Sequence, residues 1–292
     1  MTLIIQQMTL AALGLVFVVG SYFLHVRLDQ LQEGVTKIQR FMFLPQGQVL
    51  RVASLGYHGV AADFLWIQAI QAMGEKKVTE EAGRWIYRVL DILTTLDPKF
   101  VRAYEAGGLA LCTLVVLPEE SNALLEKGMK HNPDVWQLPF YLGINYYFEF
   151  GDDAKAAEYV ARAARLPAAP AYLSGLAARL YVSAKAPQNA VELIASLYEQ
   201  TADGEVRHVL EQRLKEAIVA RDLQVLEEAI RRYRDRYSKQ PGQLEDLVAQ
   251  GILNALPRDP FGGQYLYDPS TQVVSSSSVK ERMAMKGNRR QR

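Results

Sequence analysis

Apolar residues recur at helical spacing along most of the chain. Leu28, Leu31, Val35 and Ile38 lie three or four residues apart, which is the period of one face of an α-helix. A longer segment of this kind, residues 205–237, separates its apolar positions with charged residues, as a helix does when one face packs and the other meets water. Its predicted apolar stripe consists of Leu210, Leu214, Ala217, Leu223, Leu226, Ile230 and Tyr233.

Prolines mark a repeat in the middle of the chain. Pro98, Pro133 and Pro167 each follow a predicted helix, at intervals of 35 residues (98 to 133) and 34 residues (133 to 167). Each is placed where a proline ring would stop a helix from continuing. An interval of this size predicts stacked helical hairpins, and residues 59–74 and 80–98 fit a degraded first hairpin.

Small residues stand where the two helices of a hairpin would press together. Between Pro133 and Pro167, Leu142-Gly143-x-x-Tyr146 lies on a first predicted helix, Gly151-Asp152 forms a turn, and the second helix follows. Asp152 or Asp153 is predicted to cap that second helix by accepting its free amide hydrogens. The predicted close-packing positions are Gly108, Gly143, Ala156 and Ala190.

This pattern resembles the tetratricopeptide repeat (TPR), a helix-turn-helix unit of about 34 residues. The stretches SLGYHGVAADFLWIQAIQ, LDILTTLDPKFVRAYEAGG and LPFYLGINYYFEFGD are similar to those of bacterial membrane-anchored TPR proteins. The resemblance covers most of residues 50–220. It implies an inner-membrane protein with an N-terminal anchor and a periplasmic helical body, and it supplies no defined ligand.

The resemblance also implies a binding groove, because stacked TPR units offer a concave face lined by the first helix of each repeat. The TPR clamps that hold chaperone tails use Lys and Asn there, whereas this chain has Phe140 and Ile144. An apolar, tyrosine-rich groove favours a helix or extended segment of a protein partner. The alternative is that some of these residues pack against the connector or the long helix. The candidates are Arg102, Glu105, Gln137, Phe140, Ile144, Tyr147, Tyr172 and Arg179.

The N-terminus predicts a membrane anchor. Residues 8–24 carry no charge and residues 3–5 extend the apolar stretch, which makes residues 3–24 long enough to span a bilayer. A cleaved signal peptide is the alternative, but it usually has a basic segment before its apolar core. Basic residues only after the stretch would place the body in the cytoplasm, whereas the family resemblance favours the periplasm.

The C-terminal part resembles the globular end of type II secretion pseudopilins. The stretch from Leu226 to residue 277 shares their A-I-x-x-Y helix, a following proline and the motif L-P-x-D-P-F-G-x-x-Y. Gly262 and Gly263 are predicted to form a turn, with Tyr265 and Tyr267 on one side of a short strand. The acidic loop that holds calcium in pseudopilins is replaced after Asp268 by PSTQVVSSSS, so no calcium site is expected.

Composition adds no chemistry to this picture. Among 292 residues, Lys and Arg number 33 and Asp and Glu 32, so no charge bias favours nucleic acid. Four scattered histidines, a single cysteine (Cys112) and the lack of any nucleotide or hydrolase motif predict no catalytic residue, no metal and no cofactor. A non-enzymatic scaffold for cell-envelope assembly, with pilin-like or secretion components as partners, is the leading hypothesis. The alternative is an accessory subunit of a larger membrane enzyme or electron-transfer complex.

The predicted fold class is thus mainly α, with a transmembrane helix, a TPR-like α-solenoid and a small α+β pilin-like cap. The predicted organisation is an anchor (1–25), a juxtamembrane connector (26–55), helical repeats (56–222), the cap (223–278) and a basic disordered tail (279–292).

Overall fold

The structure, a computed structural model, describes residues 20–22, 44, 46–281 and 283–285. The predicted anchor, apart from residues 20–22, and the greater part of the predicted connector lie outside these residues. The part that is described is mainly helical and has one small two-stranded sheet, which confirms that part of the predicted fold class. No helix within the described ranges is both long and apolar enough to cross a membrane.

Apart from the first short helix, the helices up to the long terminal one pack in chain order, each against the next, as in an α-solenoid. A short helix α1 (Gly47–Ala53) precedes paired helices and a long terminal helix. The pairs are α2 (His58–Met73) with α3 (Glu80–Leu96), α4 (Val101–Thr113) with α5 (Pro118–His131), α6 (Gln137–Asn145) with α7 (Asp153–Ala164), and α8 (Tyr172–Ser183) with α9 (Pro187–Gln200). A π-helical turn, Tyr146–Phe150, extends α6, and α10 (Gly204–Tyr237) follows the last pair.

The repeat predicted from the prolines is present in the helix positions. The second helices of successive pairs begin at Pro118, Asp153 and Pro187, at intervals of 35 and 34 residues (118 to 153, 153 to 187). Helices α3, α5 and α7 end at Leu96, His131 and Ala164, two or three residues before the prolines at 98, 133 and 167. The proline ring, which cannot continue a helix, therefore lies in each inter-pair loop.

Side-chain caps fix several helix starts. The Asp152 carboxylate accepts the Lys155 amide hydrogen at 3.0 Å at the start of α7. Asp203 accepts the amides of Glu205 and Val206 at 2.9 and 3.0 Å at the start of α10. Each bond satisfies an amide that has no partner inside the helix. The predicted helix at 205–237 is thereby confirmed, with its start at Gly204.

Small residues allow close approach within the pairs. A Cβ added to Gly143 would lie 2.7 Å from Val160 Cγ2 and 3.0 Å from the Ala156 carbonyl oxygen, so α6 and α7 meet at backbone distance. A Cβ on Gly108 would lie 2.7 Å from Leu125 Cδ2. The other two predicted packing residues, Ala156 and Ala190, are fully buried.

A buried polar chain joins neighbouring pairs. Asn145 Nδ2 donates to Ser121 Oγ at 2.8 Å and to Asn122 Oδ1 at 2.9 Å. Ser121 Oγ in turn donates to the Gly108 carbonyl oxygen at 2.7 Å. The network links α6, α5 and α4 and supplies partners for groups that would be costly to bury alone. Ser121 thus has a structural use.

The C-terminal part adds a third core to the two cores of the repeats. After α10 come a short helix α11 (Glu245–Ala249) and the antiparallel strands β1 (Tyr265–Asp268) and β2 (Val273–Ser276). Val274 is fully buried in a cluster with Leu226 and Leu247. Tyr265 and Tyr267 lie on the same, half-buried side of β1, as the alternation of a strand requires. Gly262 has φ +84°, a conformation that glycine adopts without strain.

Two segments outside the predicted repeats and cap pack against the repeats. Residues 47–53, part of the predicted connector, form α1, and a Cβ on Gly47 would lie 3.2 Å from Thr95 Cβ on α3. Residues 279–281 and 283–285, part of the predicted disordered tail, return to the repeats, where Met283 is buried in the second core. The prediction of a disordered tail was wrong for these residues, because Met283 and Met285 supply apolar contacts that a charge count overlooks. Residues 286–292 lie outside the described range.

Candidate functional site

Most groove candidates from the sequence share one surface. We call the exposed and half-exposed side chains of α4, α6 and α8, the first helices of successive pairs, the first-helix face. Arg102, Tyr172 and Arg179 are exposed there, and Tyr172 is the most open aromatic of the three helices, at 59%. The half-buried candidates on the same helices are Glu105, Gln137, Phe140 and Ile144.

Tyr147 is the exception, and its prediction as a groove residue was wrong. Its side chain is only 3% exposed and belongs to the second core. The cause is the π-helical turn Tyr146–Phe150, in which hydrogen bonds join residues five apart and each turn holds an additional residue. A count at normal helical spacing from Ile144 points to position 147, but the wider turn places Phe148 outside instead.

Tyr141, which sequence reasoning missed, is half-buried on α6, next to Phe140. Burial raises the pKa of its hydroxyl, and the charge of Glu105 and the hydroxyl of Tyr172 raise it further. These neighbours belong to α4 and α8, so Tyr141 interacts electrostatically with both adjacent first helices. Its ring centroid is 5.5 Å from that of Phe140, which is 5.9 Å from that of Trp136, a spacing typical of tilted aromatic contacts. The predicted repeat register selected Phe140 as a groove residue, and Tyr141, the next residue, was therefore not predicted.

Burial makes the ionised form of the Glu105 carboxyl, on α4 of the first-helix face, less favourable. Partial burial raises the pKa of the Glu105 carboxyl, and the positive charge of Arg102, one turn earlier, opposes that shift. The raised pKa means that burial acts more strongly on this carboxylate than its positive neighbour does. A partner that brings a positive charge to Glu105 would make the ionised form more favourable.

Replacing Glu105 with glutamine is expected to stabilise the protein at neutral pH. A carboxyl whose folded pKa is raised binds protons more readily in the folded state, so the stability of the wild type falls as pH rises from the unfolded value through the folded one. The variant lacks this loss, so its gain in stability over the wild type should grow between pH 4 and pH 7 and stay below about 1 kcal/mol. The melting temperatures of the two proteins across this pH range measure the gain. Glu199→Gln, at an exposed position of α9, is the control. An equal gain in the control would contradict the assignment.

One end of the face opens into a cleft between α8 and α10. This cleft encloses about 380 Å³. A Cβ on Gly175 would lie 3.5 Å from Arg213 Nε, so the Arg213 side chain lies across α8 at its smallest residue. Lining side chains come from Tyr172, Leu176, Arg179, Val209 and Arg213. Leu176 and the α10 residues were not among the sequence candidates, since their role depends on how α10 folds back on the repeats.

The described residues offer little for catalysis. Ser54 Oγ lies 2.6 Å from His58 Nδ1, the distance of a nucleophile and its base, but Ser54 Oγ donates its hydrogen to the Arg51 carbonyl oxygen at 2.9 Å. This arrangement ends α1 and begins α2. Cys112 is buried in a helix. Within the described part of the chain, no group of three or more His, Cys, Asp or Glu side chains is arranged to hold a metal ion.

Comparisons of the chain with protein-family models, curated proteins and solved structures find no match.

Proposed function

We propose that the protein is a non-enzymatic scaffold whose first-helix face binds an extended or helical segment of a protein partner. The observation that supports this most is that Tyr141 on α6 interacts electrostatically with Glu105 on α4 and Tyr172 on α8, while its ring contacts that of Phe140. Tyrosine gives large contact area with a polar end and is typical of protein interfaces. The repeat length and the small packing residues support a TPR-like solenoid as the form of this scaffold.

The proposed setting is a cell-envelope complex at the bacterial inner membrane. In this proposal residues 3–24 anchor the chain in lipid, the helical body lies in the periplasm, and the partners are pilin-like or secretion components. The pilin-like sequence of the cap and the apolar N-terminal stretch support this setting. A reporter fused after Arg292 tests it, because the two orientations of the chain place the reporter on opposite sides of the membrane.

Charge placed on the first-helix face is expected to release the partner. Tyr172→Glu puts a carboxylate at the most exposed aromatic position of the face, and loss of a central aromatic contact typically reduces affinity tenfold or more. The measurement is quantitative recovery of co-purifying proteins with the detergent-solubilised full chain. Ala123→Glu, which adds the same charge at an exposed position of the second helix α5, should leave recovery unchanged. Equal recovery with both variants would contradict the proposal.

A second candidate, an accessory subunit of a permanent membrane complex, rests on another surface. Val60, Phe64 and Ile67 follow one another along α2 and are all exposed, Phe64 at 63%. Residues of α1 and the following turn, including Val52 and Leu55, continue this apolar surface. Exposed apolar patches of this kind mark lasting contacts. The native mass of the extracted protein separates the two functions, because stoichiometric co-purification supports a permanent subunit.

A further inference from the structure

The C-terminal residues of the chain fold back onto the end of the first-helix face. The Met285 amide donates to Ser183 Oγ, at the end of α8, at 2.9 Å. Met283 is 8% exposed and joins the core cluster that contains Ala177, Leu180 and Ala217. Met285 packs against the same cluster. The Met285 amide and the side chains of Met283 and Met285, two residues apart, thus attach this segment to the repeats.

These residues fill only part of the space available. A cavity of about 430 Å³ lies between residues 279–281 and 283–285 and the helices α8 and α10, with Leu176, Arg179, Arg213 and Glu216 among its lining residues. Leu176, Arg179 and Arg213 also line the adjoining cleft of about 380 Å³ that runs towards Tyr172. The two spaces form a continuous groove along α8. Its Ser183 end is covered by the chain's own terminus and its Tyr172 end is open.

We propose that this α8–α10 groove is a binding site for an extended segment with two apolar side chains, methionine-like in shape, at positions i and i+2. In this proposal, which rests on the interaction role of the first-helix face, the segment that contains Met283 and Met285 occupies the site in cis. A partner segment enters by displacing them. Methionine suits a displaceable occupant because its flexible thioether fills irregular space without a fixed geometry.

The geometry also indicates how a partner gains over the internal occupant. The tethered segment competes at a high effective concentration, so a partner must make additional contacts. The open Tyr172 end supplies them, since a longer segment can continue past Leu176 onto Tyr172 and Val209. A partner that reaches both ends of the groove meets more surface than the internal segment covers.

A peptide binding measurement on the full chain tests this inference without any natural partner. The probe is a fluorescent peptide of residues 277–292, SSVKERMAMKGNRRQR. In full-length Met283→Glu/Met285→Glu protein, the internal segment loses both apolar contacts and should leave the groove. The peptide is expected to bind this opened variant at least tenfold more tightly than the wild type. Lys280→Glu, at an exposed position of the same segment, is the matched control and should behave as the wild type.

The outcomes are distinct. Equally weak binding to the opened variant and the wild type overturns the proposal, as does equal binding of a peptide that itself carries Met283→Glu. A second measurement does not depend on the opened variant folding. In the Ser183→Cys/Met285→Cys full chain an intramolecular disulfide should form readily, whereas the pair Ser183→Cys/Ser275→Cys should stay reduced. Failure of the first pair to close would also overturn the proposal. Neither test requires the Tyr172→Glu result, so the scaffold function and this inference can fail separately.

Discussion

Replacing Gly143 with alanine is expected to destabilise the protein, although alanine is the better helix former. The new Cβ would lie 2.7 Å from Val160 Cγ2 and 3.0 Å from the Ala156 carbonyl oxygen. The second contact is with backbone, so α6 and α7 must separate for the methyl group to fit. Overpacking of this kind costs about 1–3 kcal/mol, against a gain of about 1 kcal/mol in helix propensity. Valine at the same position should cost more, because it adds bulk and has lower helix propensity.

The matched control is Gly59→Ala on α2, where an added Cβ meets nothing within 4 Å. The same chemical change there should be neutral or stabilise by up to about 1 kcal/mol. Urea unfolding of the purified full-length chain measures both variants, and opposite signs are expected. If Gly143→Ala were as stable as Gly59→Ala, the close contact between α6 and α7 would not exist. Gly108→Ala should fall between them, since its obstacle is the Leu125 side chain, which can rotate.

The regular parts of the fold followed from the sequence because each depends on local chemistry. Proline cannot continue a helix, so the intervals from 98 to 133 and from 133 to 167 are enough to locate the inter-pair loops. Asp152 and the glycine before it mark a turn and a cap for the same reason. The long helix α10 was readable from its amphipathic stripe, and its observed start differs by one residue from the predicted 205.

The errors came from departures from regular geometry. The repeat register placed Tyr147 in the groove, but this residue lies in the π-helical turn Tyr146–Phe150 and is buried. The sequence of this stretch contains no residue that predicts a π-helix. Gly151 itself has φ +66°, which closes the segment at low cost.

Long-range contacts were the other limit. The Ser183 contact with Met285 joins residues 102 apart, and its segment carries too few apolar residues to show a period. The first-helix face was located only as far as the repeat register held, so Phe140 and Tyr172 were found and Tyr141 and Leu176 were not. Arg213 and other α10 residues reach the cleft only because α10 packs against α8, and the sequence around them does not predict that contact.

The cap is held to the solenoid by a polar cluster that the sequence also concealed. Asp222 on α10 is 3% exposed, and its Oδ2 accepts the Tyr265 hydroxyl at 3.0 Å. Its Oδ1 receives Arg221 Nη2 at 2.7 Å and Arg221 Nε at 3.0 Å. The Tyr265 hydroxyl sits in a setting that strongly favours its protonated form, because burial and the Asp222 carboxylate both raise its pKa. The hydroxyl therefore remains a donor at physiological pH.

Asp222→Ala is expected to cost about 3 kcal/mol, because a buried hydrogen-bonded carboxylate is removed and its partners are left unpaired. Tyr265→Phe should cost about 1–2 kcal/mol, and the double variant should cost less than the sum, by about 1 kcal/mol.

Because the cap has its own core around Leu226 and Val274, the loss should appear first as faster amide exchange in β1 and β2 while α3 to α7 stay protected. Asp235→Ala, an exposed carboxylate on the same helix with an Arg234 contact at 3.7 Å, should change stability by less than about 0.5 kcal/mol. The proposed contact between Asp222 and Tyr265 would be contradicted if the stability losses of the two single variants simply added in the double variant. Amide exchange that becomes faster uniformly across the chain would contradict it as well.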